Sequence, residues 1–112
     1  MHEVSLCQSM RLIAERASKG RKVTAVSVDV GALRQVVPAA LDAAWGAVAK
    51  QSMILTGSHL EIRLIPASFD CKECGRHTTL QNEVIFQCGC GSRNIIVRSG
   101  EEFMITSIDV AD

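Results

Sequence analysis

Residues 71–90 read CKECGRHTTLQNEVIFQCGC and contain four of the chain's five cysteines. Their spacing is C-x-x-C, thirteen residues, then C-x-C, formed by Cys71, Cys74, Cys88 and Cys90. Two short cysteine pairs separated by a hairpin-sized stretch are typical of a tetrahedral zinc site. A segment of about thirty residues cannot bury enough apolar surface to fold alone, whereas thiolate-bound zinc contributes about 10–16 kcal/mol. The stretch therefore predicts a structural Zn(II) cofactor.

The second cysteine pair departs from the usual zinc-ribbon spacing. Only Gly89 separates Cys88 from Cys90, so this pair is one residue shorter than C-x-x-C. His77 follows Cys74 by three residues and is an alternative ligand. The sequence leaves open whether the short pair supplies both ligands or His77 replaces one of them.

Other cysteine chemistries fit this stretch less well. A thioredoxin-like C-x-x-C opens a helix after a strand, whereas the sequence GRHTT at 75–79 indicates a turn. Rubredoxin-like iron domains are usually rich in aromatic residues, but this chain has three Phe, one Trp and no Tyr. A catalytic zinc keeps one open position, which four thiolates do not leave. Without a catalytic triad, a phosphate-binding glycine loop or paired carboxylates, we do not expect an enzyme.

The flanking sequence predicts two helices, the first of them over residues 3–20. The apolar residues Leu6, Met10, Ile13 and Ala17 recur at spacings of three and four, which predicts a buried stripe on this helix. Cys7 lies beside that stripe, so we expect it to be a core thiol. The second helix is predicted over residues 37–51, with a stripe formed by Leu41, Trp45 and Val48.

Three stretches with the two-residue period of strands complete the fold. They are Lys22–Gly31, Leu60–Ile65 and Phe103–Val110. The expected class is α+β: a small three-stranded sheet covered by two helices, with an inserted zinc-ribbon-like domain. Residues 1–66 and 99–112 are assigned to the α/β domain, and residues 67–98 to the zinc-binding domain.

Composition restricts the classes of partner and the location. Twelve basic residues balance twelve acidic ones, and this balance argues against nucleic-acid binding, which favours a basic face. The first residues do not have the basic and apolar regions of a secretory signal, so we expect none, and no apolar run approaches the length of about 18 residues needed to span a membrane. We therefore expect a cytoplasmic protein without a membrane partner, in a compartment that keeps thiols reduced.

The chain opens with the sequence MHE, and this start has its own metal chemistry. The α-amine of Met1 has an ordinary pKa of about 7.7–8.0 and the His2 imidazole one of about 6.5, so both are available near neutral pH. Together with backbone amide nitrogens they offer the square-planar arrangement that Ni(II) and Cu(II) favour and zinc does not. Glu3 adds an oxygen or tunes the site. Alternatively, His2 stands there by chance and Glu3 only favours the positive end of the helix.

Four stretches together resemble the HypA family, the nickel chaperones of hydrogenase maturation, some of which also serve urease. They are MHEVSLCQSM, VGALRQVVPAALDAAW, the cysteine pairs CKECG and CGCGS, and SGEEFMITSIDV. The similarity covers essentially the whole chain in the right order. One departure concerns the second pair, since the family commonly has CPxCGS where this chain has CGCGS.

The resemblance implies a role for each metal site. Met1, His2 and Glu3 would bind nickel, which makes the α/β domain the nickel-binding domain. The four cysteines would hold structural zinc. The implied partners are a HypB-type GTPase and a hydrogenase large subunit.

The expected function is thus a nickel metallochaperone that binds Ni(II) as transient cargo at its N-terminus and delivers it for nickel insertion into nickel–iron hydrogenase, with urease as a further candidate recipient. We expect a monomer or a homodimer. The alternative is a zinc-ribbon interaction module in transcription or translation, which needs the cysteines but gives His2 no role.

Overall fold

The computed structural model describes residues 3–81 and 83–112 and confirms the α+β class. The elements in chain order are α1 Glu3–Ser18, β1 Val23–Gly31, a 3-10 turn Ala32–Arg34, α2 Pro38–Ala49, β2 His59–Ile65, β3 Ser68–Cys71, β4 His77–Thr79, β5 Ile95–Ser99 and β6 Phe103–Val110. The strands of the described residues form two three-stranded sheets, of order β2-β1-β6 and β4-β3-β5. The first sheet contains the three strands predicted from the sequence, and the second lies in the cysteine-rich stretch. None of the described helices is long and apolar enough to cross a membrane.

The chain divides into two compact units. The first, here called the helical unit, comprises Met1–Asp29, Val36–Arg63 and Met104–Asp112. The second, here called the cysteine unit, comprises Val30–Gln35 and Leu64–Phe103.

Helix α1 buries a face that shares Met10 with the predicted stripe but is shifted toward Cys7 and Ala14. Its buried residues are Glu3, Cys7, Met10, Ala14 and Ser18. The prediction of a stripe through Ile13 and Ala17 is therefore wrong, since both are exposed and Ile13 is 56% accessible. Helices α1 and α2 pack against each other, and the Cys7 Sγ lies 3.7 Å from the Leu41 carbonyl oxygen.

Helix α2 buries the stripe that its sequence predicts. Pro38 occupies its first turn, where a missing N–H costs nothing. Leu41, Trp45 and Val48 are buried, and the Trp45 Nε1–H donates to the Ser58 hydroxyl oxygen at 3.0 Å. Val26 and Val28 of β1 are buried as well.

The cysteine unit has a small apolar core beneath its sheet. Strand β3 lies at the centre and pairs antiparallel with β4 and with β5. Phe69 is fully buried there and makes an edge-to-face contact with Phe86, at 6.2 Å between ring centroids. Because so few bulky apolar residues pack together, a unit of this size requires other stabilisation.

The segment after β1 belongs to the same unit. The Gly31 amide donates to the Glu102 carbonyl at 2.7 Å, and the Leu33 amide donates to the Gly100 carbonyl at 2.7 Å. A Cβ at position 31 would lie 2.1 Å from the Gly100 oxygen. Glycine at this position is what allows the two backbone segments to come so close.

Candidate metal centre

The first cysteine pair occupies the turn that leaves the central strand of the cysteine unit. Cys71 is the last residue of β3, and the Gly75 amide donates to its carbonyl oxygen at 2.9 Å. Gly75 has a φ of +78°, in the left-handed region that favours glycine. The Cys74 amide lies 3.5 Å from the Cys71 Sγ. The turn thus directs the backbone donor of the second cysteine toward the sulfur of the first.

The second pair closes in a shorter turn of the same kind. The Gly91 amide donates to the Cys88 carbonyl oxygen at 2.9 Å, and Gly91 has a φ of +95°. The Cys88 amide donates to the Ser92 carbonyl at 2.9 Å. In both pairs, the glycine after the second cysteine bonds back to the first cysteine. The second turn is therefore one residue shorter than the first but is closed by the same kind of glycine-to-cysteine backbone hydrogen bond.

These two turns bring all four predicted cysteines together. The Sγ atoms of Cys71, Cys74, Cys88 and Cys90 lie within 4.8 Å of one another. The Cys71–Cys90 sulfurs are 3.7 Å apart and the Cys74–Cys88 sulfurs 3.5 Å. A tetrahedral zinc with Zn–S bonds of about 2.3 Å requires sulfur separations of about 3.8 Å, whereas a disulfide requires about 2.05 Å. The four free thiols thus fit a zinc ion.

The thiols of this cysteine cluster differ in acidity. The backbone N–H of Cys74, with further hydrogen bonds, lowers the pKa of Cys71 to about 6. At Cys90 the Ser92 N–H favours the thiolate, but hydrogen bonding with Cys88, burial and the other neighbouring sulfurs outweigh it and raise the pKa to about 11. A divalent cation must therefore displace a proton from Cys90 at neutral pH, whereas Cys71 already offers a thiolate.

His77, the alternative ligand, points to a different partner. Its Nδ1 lies 2.6 Å from Asp70 Oδ1, and the metal-ligand group found among residues 3–81 and 83–112 consists of the four cysteines. The short Cys88–Cys90 pair thus presents both sulfurs to the cluster without help from the imidazole.

Of the predicted nickel ligands, the structure describes Glu3 alone. Met1 and His2 fall outside the described residues. Glu3 is the first residue of α1, only 8% exposed, and provides the acidic residue that suits the positive end of a helix.

Two further residues lie outside the predicted metal ligands, one of them predicted from the sequence and one not. Cys7 is fully buried, and burial raises the pKa of its thiol to about 11, which confirms a core thiol. Asp70 was not predicted to have a role; its Oδ2 accepts from Arg98 Nε at 2.7 Å in addition to the contact with His77. No sequence motif predicts these contacts, because Arg98 lies 28 residues after Asp70 in the chain.

Comparison with known proteins gives a family match over nearly the whole chain. Residues 1–110 match the family model described as hydrogenase/urease nickel incorporation, metallochaperone, hypA. The hydrogenase maturation factor HypA of Geobacter metallireducens is 33% identical over 110 residues, covering 98% of this chain and 99% of that protein. The factor of the same name from Acidithiobacillus ferrooxidans is 36% identical over 113 residues, with coverage of 98% and 99%.

Solved structures share the fold. The solution structure of the Ni metallochaperone HypA from Helicobacter pylori superposes with a TM-score of 0.71 at 23% identity, covering 98% of this chain and 97% of that one. A second HypA solution structure gives 0.74, again at 23% identity, with coverage of 99% and 97%.

Proposed function

Because this chain belongs to the HypA family of nickel metallochaperones in hydrogenase and urease maturation, we propose that it binds Ni(II) at its N-terminus and delivers it as transient cargo to a nickel–iron hydrogenase. The proposed ligands are the Met1 α-amine, the His2 imidazole and the backbone amide nitrogens beside them, with Glu3 as a further oxygen donor or tuning group. The observation that carries the proposal is the family match from residue 1 to residue 110.

The chemistry of these groups supports nickel over zinc. An amine, an imidazole and deprotonated amides form an all-nitrogen, square-planar set, which suits Ni(II). Glu3 begins α1, is only 8% exposed, and directly follows in sequence the two residues that would supply the nitrogens. A site built on the first residues exchanges its ion easily, which favours delivery over storage.

The cysteine cluster has a different role in this proposal. Its four sulfurs leave no open coordination position, so Cys71, Cys74, Cys88 and Cys90 would hold zinc as a structural ion. Zinc would supply the folding free energy that the small apolar core of the cysteine unit lacks. We accordingly propose residues 67–98 as the zinc-binding domain, and residues 1–66 and 99–112 as the nickel-binding domain.

The proposed partners follow from the family. A HypB-type GTPase would act with this chain, and a hydrogenase large subunit would receive the nickel. The alternative, a zinc-ribbon module in transcription or translation, accounts for the cysteines alone, whereas the family match also covers both helices and the start of the chain.

Nickel titration of the untagged protein and of two matched histidine variants tests the proposal. His2→Ala is expected to abolish the square-planar nickel absorption band while the zinc content stays unchanged. His59→Ala is the control, because His59 is an exposed histidine on β2, and it should bind nickel like the wild type. Nickel binding that survives His2→Ala would refute the N-terminal site.

An N-terminal extension gives an independent test of the amine. Residues added before Met1 replace the α-amine with an amide, and we expect nickel affinity to fall. Unaltered nickel affinity in the extended protein would eliminate the amine as a ligand. The His2→Ala result would then decide whether the imidazole binds nickel.

A further inference from the structure

A single carboxylate joins all three strands of the sheet in the cysteine unit. Asp70 lies in the central strand β3, directly before Cys71. Its Oδ1 accepts from the Nδ1–H of His77 in β4 at 2.6 Å, and its Oδ2 accepts from Nε of Arg98 in β5 at 2.7 Å. Both oxygens of one side chain are therefore occupied by cationic or polar donors from the two outer strands.

The strand register explains how one residue reaches both neighbours. Asp70 is directly opposite His77 in the β3–β4 pair and opposite Ile96 in the β3–β5 pair. Arg98 lies two residues beyond Ile96, so it is the diagonal neighbour that a long side chain spans. Phe69, the residue before Asp70, is buried in the core, and alternation along the strand places Asp70 on the solvent side.

The two outer strands are also the continuations of the two cysteine pairs. The chain passes from Cys74 into β4, which starts at His77, and from Cys90 into β5, which starts at Ile95. Two backbone hydrogen bonds lie next to Asp70. The Cys71 amide donates to the Arg76 carbonyl and the Lys72 amide donates to the Asn94 carbonyl, each at 2.9 Å. Asp70 in β3 therefore connects β4, which follows the first cysteine pair, with β5, which follows the second.

Building on the zinc site of the proposed function, we propose that Asp70 is a positioning residue for the cysteine cluster, which it holds in zinc-binding geometry by bridging His77 and Arg98. The bridge matters in this unit because few apolar side chains pack beneath the sheet. The Asp70 carboxylate accepts two short hydrogen bonds, from His77 at 2.6 Å and from Arg98 at 2.7 Å. Charge-assisted bonds of this kind are shorter and stronger than neutral ones.

Zinc release from the intact, zinc-loaded protein into excess chelator tests this role. Residues that support metal ligands from outside the coordination shell typically contribute 10–100-fold to metal affinity, and we expect Asp70→Asn to release zinc about tenfold faster, at the lower end of that range. Asp109→Asn is the control: it removes an exposed carboxylate in β6 and should leave the rate unchanged. Equal rates for Asp70→Asn and wild type would overturn the proposal.

Two further measurements separate positioning from general destabilisation. Arg98→Gln should accelerate release in the wild type and add nothing in the Asp70→Asn background, because the two residues act through one contact. The cobalt(II) form of Asp70→Asn should show altered ligand-field bands, since the sulfur geometry itself changes. Additive rates, or a wild-type cobalt spectrum, would count against a positioning role.

The outcomes also distinguish this inference from the zinc site itself. If Asp70→Asn retains no zinc at all, zinc release is measured instead in His77→Gln and in Arg98→Gln, each of which keeps one of the two hydrogen bonds of Asp70. Release at the wild-type rate from both variants would overturn the positioning role. If the Cys74→Ser variant retains zinc as well as the wild type does, the zinc site of the proposed function is refuted. That result does not depend on Asp70.

Discussion

The backbone amide of Gly91 lies 2.9 Å from the carbonyl oxygen of Cys88 and closes the second cysteine pair one residue earlier than the first. In the first pair the closing bond runs from Gly75 to Cys71. Both glycines have positive φ and both follow the second cysteine. The shortened CGCGS sequence therefore preserves the element that brings the sulfurs together, a left-handed glycine bonded to the carbonyl of the leading cysteine.

Gly91→Ala is expected to weaken zinc binding. A side chain at position 91 meets no atom within 4 Å, so the cost is purely that of placing alanine in the left-handed region, about 1–2 kcal/mol. Competition with a chelator should show a loss of about 5–30-fold in zinc affinity, the equivalent of that energy. Gly46→Ala is the control, because Gly46 lies exposed within α2 and alanine there stabilises the helix. A Gly91→Ala protein with wild-type affinity would show that the turn geometry is dispensable.

Proton release on zinc binding should increase at low pH. The pKa of Cys71 is about 6 in the metal-free protein, so above pH 6 this residue already binds zinc as a thiolate. Below pH 6 it is protonated, and zinc must displace about one additional proton. Zinc affinity should consequently fall more steeply with decreasing pH below 6 than above it.

Calorimetry in two buffers of different ionisation enthalpy measures this proton count at pH 5 and at pH 7.5. Cys7→Ala is a suitable control, since the pKa of Cys7 is about 11 and its thiol keeps its proton at both pH values. Identical proton release at the two pH values would contradict the lowered pKa of Cys71.

Ser58→Ala is expected to destabilise the helical unit. The Trp45 indole N–H donates to the Ser58 hydroxyl in a buried site, and its loss leaves a buried donor unsatisfied, at a cost of about 1–3 kcal/mol. Urea unfolding followed by fluorescence measures the effect directly, because Trp45 is the chain's single tryptophan. Ser9→Ala, on the exposed face of α1, should leave the unfolding free energy unchanged or slightly higher. A Ser58→Ala protein as stable as Ser9→Ala would mean that the hydrogen bond contributes nothing.

Gly31→Ala should destabilise the cysteine unit. The added Cβ would lie 2.1 Å from the Gly100 carbonyl oxygen, so the two backbone segments must separate, at a cost of about 1–3 kcal/mol for overpacking. Thermal unfolding by circular dichroism should show a lower midpoint, by roughly 4 °C or more. Gly46→Ala serves as the comparison, since its Cβ enters open space. An unchanged midpoint would argue that the Gly31–Gly100 approach is not required.

The sequence predicted most elements of the fold because their signals are local. The valine alternation in β1 and the Leu41–Trp45–Val48 stripe of α2 each depend on residues a few positions apart. The predicted stripe of α1 was correct at Met10 and wrong at Ile13 and Ala17, because those residues also have helical spacing. Only packing against α2 shows that the face with Cys7 and Ala14 is the one that fits closely.

The chain by itself determined which residues can bind a metal: thiol spacing, glycine placement and donor chemistry are properties of short segments. Only the tertiary structure decided how those groups meet, since the sulfur pairs Cys71–Cys90 and Cys74–Cys88 and the bridge through Asp70 join residues far apart in sequence. The attachment of residues 30–35 to the cysteine unit is of the same kind. Such contacts depend on strand register and turn size, which are set by the packing of the whole unit rather than by any one segment.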